Sequence, residues 1–176
     1  MAEKVDRRVR KTKAQLRAGL ARLMQKKSIK EITVKELVEE VDINRSTFYL
    51  HYTDIYQMLE SIEGELMDEI SHLIDDYALD PINNKESSYP FIEQIFTILD
   101  NNKDICIALL GKNGDMAFVN RIEGLIAETV FQRLSSRMPK DNRDIEYAYA
   151  FCLNGCVGMI KAWLSSDNQE STQHMA

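Results

Sequence analysis

Eight consecutive residues at 45–52, RSTFYLHY, carry an arginine, two hydroxyls, three aromatic rings and a histidine. A core helix would not bury so many polar tips, and a solvated helix would not display so many rings. The mixture suits a surface that offers both charged oxygens and flat hydrogen-bonding edges, which is the surface of double-stranded nucleic acid. Arginine can grip guanine through two hydrogen bonds, while hydroxyls, a phenol and an imidazole reach phosphate oxygens. Catalytic chemistry has no comparable signal. There is no phosphate loop, no nucleophile paired with a base and no metal-ligand spacing, and the carboxylates are dispersed along solvated helix faces. The expectation is a non-enzyme without cofactor or metal. His51, His72 and His174 are scattered, and the odd set Cys106, Cys152 and Cys156 has no CxxC pair, against both a zinc site and a disulfide framework. Cys152 and Cys156 share a helix face and read as buried thiols packing as small hydrophobes, with a redox sensor as the alternative.

Positioning RSTFYLHY requires the elements that flank it. Upstream, TVKELVEEV opens with Thr33, which can accept from the backbone of Glu36 while Glu36 reaches back, a capping box. The short helix that follows should bury Val34, Leu37, Val38 and Val41. Asp42-Ile43-Asn44 then makes a tight turn, with Asn44 as N-cap of a helix over about 45–52. Two short helices joined by a three-residue turn form a helix-turn-helix, whose second helix enters the major groove N-terminus first. Phe48 faces inward, onto Ile43 and Leu37.

Helical periodicity extends over almost all of the chain and two-residue alternation is absent, so the fold class is all-α. A first helix spans roughly Asp6–Lys27, with Val9, Leu16, Leu20, Leu23 and Met24 on one stripe. Asp54, with Gln57 three residues on, caps a long helix over about Ile55–Tyr77. Further helices read as about 88–100, 103–110, 116–138 and 143–165, and Pro81, Pro90 and Pro139 fall at or near the ends of periodic segments, where helix ends are expected.

Charge is divided unevenly. Residues 1–52 hold 13 Lys+Arg against 7 Asp+Glu, whereas residues 53–176 hold 9 against 21, for −6 overall. A basic head suits a polyanion and an acidic body keeps the remainder away from it. The charged N-terminus lacks the apolar run of a signal peptide, and YAYAFCLNGCVGMIKAWL contains Asn154 and Lys161 and reads as a buried helix rather than a membrane span. These features point to a soluble, cytoplasmic chain with no membrane partner.

The segment ITVKELVEEVDINRSTFYLHYTDIYQML resembles the DNA-binding signature of the tetracycline-repressor (TetR/AcrR) family of transcription regulators, tightly over residues 7 to about 66. More loosely, FTILDNNKDICIALLGKNGDMAFVNRI is similar to the C-terminal domain of the branch that includes dihydroxyacetone-kinase regulators. The resemblance implies a TetR-like fold of about nine helices: a helix-turn-helix domain at 1–54 and a helical regulatory and dimerisation domain at 55–176. It implies that Arg45, Ser46 and Leu50 face bases, and that Thr47, Tyr49 and His51 contact phosphate. Thr33 would meet the sugar-phosphate chain. The family's phosphate-gripping lysine at the start of the fourth helix is Ile55 here, which leaves Arg7, Arg8, Arg10 and Lys35 as substitutes. The residues themselves leave alternatives open: Tyr49 and Tyr52 as core rings, Arg45 bridging Glu40 or Asp42, and His51 capping the helix end.

For the body, the resemblance implies dimerisation and a small-molecule effector of unknown class. Small residues on the helix at 143–165 allow close helix approach, and Ala148, Cys152, Gly155, Gly158 and Ala162 are the candidate dimer contacts. A ligand pocket would draw on Phe91, Phe96, Met116, Phe118 and Met159, which ordinary core packing would equally explain. SSDNQESTQHMA resembles the loop and first turn of the family's final helix, which should continue with apolar residues. The function implied is a ligand-responsive homodimeric repressor acting on a DNA operator. The alternative is an activator or coregulator on the same fold, controlled by a protein partner.

Overall fold

The computed structural model describes residues 2–78, 88–135 and 143–176. Among them are nine α-helices and one 3-10 turn: α1 (Ala2–Lys26), the turn Ile29–Glu31, α2 (Val34–Glu40), α3 (Arg45–Tyr49), α4 (Ile55–Ala78), α5 (Ser88–Asn101), α6 (Lys103–Leu110), α7 (Met116–Ser135), α8 (Arg143–Leu164) and α9 (Thr172–Met175). No strand occurs among the described residues, so the chain is all-α. Boundaries follow the local chemistry. Asp54 Oδ1 accepts from the Gln57 amide at 2.8 Å and starts α4, and α9 starts where Ser171 accepts from the amide of His174.

One compact unit gathers Met1–Leu66 with Asn102–Asp115. Its core holds Leu16, Leu20, Leu23 and Met24 of α1, Leu37 and Val38 of α2, Phe48 of α3 and Met58, Leu59, Ile62 and Leu66 of α4. Helix α6 packs along α1, burying Ile105, Cys106, Ala108 and Leu109. Arg17 on α1 donates to Asn102 Oδ1 at 2.7 Å and lies 3.6 Å from the Glu65 carboxylate. One guanidinium thus ties the N-cap of α6 and the middle of α4 to α1. Glu63 is the buried acid among the described residues.

The approach of α1 to α2 is set by Gly19. A Cβ there would meet Cγ1 of Val41 well inside van der Waals contact and Cδ1 of Leu37 at 3.1 Å. No periodicity argument exposes this, because the constraint comes from the facing helix.

The other unit comprises Met67–Asn101 and Met116–Ala176. Within it α5 packs with α9, and Phe96 meets Trp163 edge-to-face at a centroid separation of 4.9 Å. Trp163 donates its indole N–H to the carbonyl of Glu170 at 2.9 Å, which folds the segment after α8 back on that helix.

Three expectations need correction. The Thr33 capping box is half formed: Thr33 accepts from the Glu36 amide at 3.2 Å, but the Glu36 carboxylate pairs with Lys27 at 2.6 Å. A charge-assisted bond outcompetes a neutral backbone donor. Cys156, expected to be buried, is exposed, whereas Cys106 is buried. Nor is α8 buried all round: Tyr147 and Phe151 are 73% and 81% exposed.

Gly19 and Gly64 give opposed expectations. Both lie inside helices, where alanine is favoured over glycine by about 1 kcal/mol. At Gly64 a Cβ enters open space, so Gly64→Ala should raise stability by about 0.5–1 kcal/mol. At Gly19 the stiff Val41 must move, at a cost of about 1–3 kcal/mol, and Gly19→Ala should lower stability. Thermal unfolding of the two variants checks the pair; equal gains would refute the tight α1–α2 approach.

Tyr52, 5% exposed, belongs to the core, with the Lys13 ammonium 5.7 Å from its ring centroid. Burial pushes its phenol above the ordinary value of 10.0, Glu65 adds to the rise and Arg17 opposes it. A raised folded value means that this contribution to stability is complete below pH 10 and fades as pH climbs through the folded value. The alkaline loss of stability should therefore be shallower in Tyr52→Phe, measured by denaturant unfolding between pH 9 and 11.

Candidate nucleic-acid interface

The turn between α2 and α3 is a Schellman motif. The Ile43 amide donates to Val38 O at 2.9 Å and the Asp42 amide to Glu39 O at 3.4 Å, which satisfies the end carbonyls of α2. Asp42 occupies the left-handed position this motif requires, at φ 52°. Glycine is the usual tenant; aspartate is among the few L residues that tolerate the conformation. The chain leaves the turn into Asn44, whose Oδ1 accepts from both the amide (2.9 Å) and the hydroxyl (2.8 Å) of Ser46. That cap begins α3.

Helix α3 has two unlike faces. Phe48 is 0% exposed and Tyr52, just beyond the helix, is nearly as buried, their ring centroids 5.8 Å apart. On the other side Arg45 and Ser46 are exposed, Tyr49 is 47% exposed and Leu50 79%. Thr47 and His51 flank them, half-buried. The structure thus brings Arg45, Ser46, Tyr49 and Leu50 onto one open surface, with Thr47 and His51 at its margins. Thr33 is exposed at the start of α2.

Electrostatics on the helix differ from the simplest expectation. Arg45 bridges neither Glu40 nor Asp42. Glu40 is held by Arg22 at 2.7 Å, whose hydrogen bond keeps the Glu40 carboxyl below its usual range. The Arg45 guanidinium lies instead on Tyr49, with Nη2 donating to the phenol oxygen at 3.0 Å and Nε at 3.4 Å. Both residues were evident as candidates in the sequence; their union was readable in principle, since residues four apart are neighbours on a helix. Ile55, where the resemblance leads one to expect lysine, is buried, so its side chain faces the core and cannot grip phosphate. Tyr56 beside it is exposed. Arg7, Arg8 and Arg10 on α1 and Lys35 on α2 are exposed cations of the same unit.

The remaining candidates are distributed as follows. Phe96 and Phe118 are buried, while Met116 and Met159 are exposed, so these two methionines are not enclosed. Gly155, Gly158 and Ala162 are exposed on α8. The side chains of Tyr77, Phe91, Ala148 and Cys152 lie outside what the structure describes. Tyr147 and Phe151, an i,i+4 aromatic pair beside the small residues, were missed in the sequence. Among the described residues no group of His, Cys, Asp and Glu could hold a metal ion, and no helix is long and apolar enough to cross a membrane.

Residues 86–176, just over half of the chain, match a TetR-type family model described as a transcriptional regulator C-terminal region. No curated protein matches the sequence significantly. The fold is similar to the crystal structure of a TetR transcriptional regulator from Streptococcus agalactiae 2603V, with a TM-score of 0.60 at 22% identity over 99% of this chain and 94% of that one. It is also similar to the dihydroxyacetone kinase operon activator DhaS, with a TM-score of 0.51 at 17% identity over 93% of this chain and 88% of the other. A helix-turn-helix with an open polar face, a TetR-like fold and the matched C-terminal region together identify the chain as a member of the TetR family of transcriptional regulators.

Proposed function

We propose that the protein is a cytoplasmic, homodimeric repressor that binds a near-palindromic DNA operator through α3 and releases it when a small effector binds the body. The observation that carries the DNA-binding part is the division of α3: Phe48 is sealed in the core while Arg45, Ser46, Tyr49 and Leu50 stand open. Arg45, Ser46 and Leu50 read bases, Leu50 by touching a thymine methyl, and Thr47, Tyr49, His51 and Thr33 hold phosphate and sugar. Arg7, Arg8, Arg10 and Lys35 supply charge that Ile55 does not.

The dimer reading rests on α8. Tyr147 and Phe151 are exposed, and a Cβ at Gly155 or Gly158 would enter open space. Two mid-helix glycines cost helix stability without a close approach at either Cβ position among the described residues, and a second helix approaching closely would use them. The effector reading is supported by α6: a segment of the C-terminal half, residues 102–115, belongs to the compact unit of the head, through α1 and Arg17. An effector that displaced this segment would act on the head directly. Phe96 and Phe118 are the buried aromatic candidates for a pocket wall.

One fold neighbour is itself an operon activator, and this favours a second reading, an activator or coregulator answering to a protein partner. Bound small molecule in an enclosed cavity would decide for the first reading, and a body with no such cavity for the second.

Operator selection from random duplex DNA tests the core of the proposal. Binding to the enriched site should weaken with salt, with a log–log slope of about −0.9 per phosphate contact. Arg45→Ala should cost roughly 1–3 kcal/mol and relax the preference at one base pair of each half-site. Thr47→Ala should weaken all sites alike. No enrichment of any sequence would refute DNA reading.

Sedimentation at micromolar concentration should show a dimer. Phe151→Lys, on a side chain the protomer leaves exposed, should weaken it at least about tenfold without unfolding the chain. A dimer indifferent to Phe151→Lys would place the interface elsewhere.

A further inference from the structure

We infer that Tyr49 is a positioning residue: it holds one edge of the Arg45 guanidinium so that the opposite, end-on pair of N–H groups meets the DNA, which selects guanine at that base pair. The inference rests on the DNA-binding reading above and adds the identity of the base and the residue that enforces it.

The donor inventory makes the argument. A guanidinium has five N–H groups: one on Nε and two on each terminal nitrogen. The Tyr49 oxygen takes the side edge, accepting from Nη2 at 3.0 Å and Nε at 3.4 Å. What remains free is one N–H of Nη2 and both of Nη1. Two of these are parallel and point away from the chain, the spacing that matches O6 and N7 of guanine in the major groove. Adenine offers an acceptor and a donor there, and two arginine donors leave its N6 amino group opposed.

The tyrosine is itself braced. Its ring stands edge-on to Phe48, centroids 5.4 Å apart and planes at 85°, and Phe48 is sealed in the core. The guanidinium carbon lies 5.5 Å from the Tyr49 ring centroid. A chain of contacts therefore runs from the core through Phe48 and Tyr49 to an exposed arginine that would otherwise sample many rotamers. Arginine carries about 2 kcal/mol of rotamer entropy, and ordering it before DNA arrives reduces what binding must supply.

The phenol has a second use. Its oxygen accepts from Arg45, so its own proton is available to a phosphate oxygen. A cation, a hydroxyl and an anion in series polarise one another in the favourable sense. Tyr49 then links base reading to backbone holding, and its removal should affect both.

The test uses the full chain and random-sequence duplex DNA, comparing selected sequences for native protein, Tyr49→Phe, Arg45→Ala and the double variant. Native protein should enrich guanine at one position per half-site. Tyr49→Phe keeps the ring and, being half exposed, should leave thermal unfolding unchanged. It should reduce the guanine preference at that position by about two- to tenfold, beyond a uniform loss at every site. Arg45→Ala should abolish that preference, and adding Tyr49→Phe to it should bring uniform loss alone. Uniform weakening by Tyr49→Phe with the guanine preference intact would reduce Tyr49 to a phosphate contact and overturn the inference while DNA reading stands. A different base enriched at the Arg45-dependent position would overturn it as well. Failure of the native protein to enrich any sequence would overturn both.

Discussion

A helix of five residues has no stability of its own, because nucleating a turn costs more than so few hydrogen bonds return. Helix α3 exists because Phe48 is fully enclosed by the core of its unit and because its start is chemically closed. Asn44 caps the start, and the Schellman turn before it fixes the direction of entry. Everything proposed for Arg45, Tyr49 and Leu50 inherits its geometry from that one buried ring. Replacing Phe48 by a small residue would remove roughly 3–5 kcal/mol of packing, and with it the orientation of the whole open face.

The constraint propagates outward. Phe48 sits in a core built from α1, α2 and α4, so the approach of those helices sets where α3 lies. Gly19 controls α1 against α2. Arg17 holds α1 to Glu65 of α4 and to Asn102 at the start of α6. The α6 segment therefore shares the unit whose core positions the open face. In the proposed regulation, an effector that altered the seat of α6 on α1 would act on the same unit whose core holds Phe48.

Much of this was legible in the sequence. Apolar periodicity with the Asp54 cap located nearly every described helix to within a few residues, since such patterns and caps act locally. Asn44 and the exposed face of α3 were legible for the same reason. The illegible parts are tertiary. Gly19 reads as an ordinary helix weakness until Val41 is seen opposite it. Asp42 shows no sign of a left-handed backbone, because aspartate in a turn fits several conformations. Glu36 could satisfy either a cap or Lys27, and only the folded chain shows which. Tyr147 and Phe151 look like core aromatics in an apolar run, whereas the fold leaves them exposed. That difference between sequence expectation and structure is what directs attention to α8 as the proposed dimer surface.

The most direct measurement of the central claim is backbone amide perturbation on adding the selected duplex to the labelled protein. The account predicts that the largest changes fall on residues 44–51 and at Thr33, with smaller ones at Arg7, Arg8 and Arg10, and none of comparable size on the exposed face of α8. Perturbation centred on α8 or on the acidic half of the chain, with 44–51 unmoved, would contradict it.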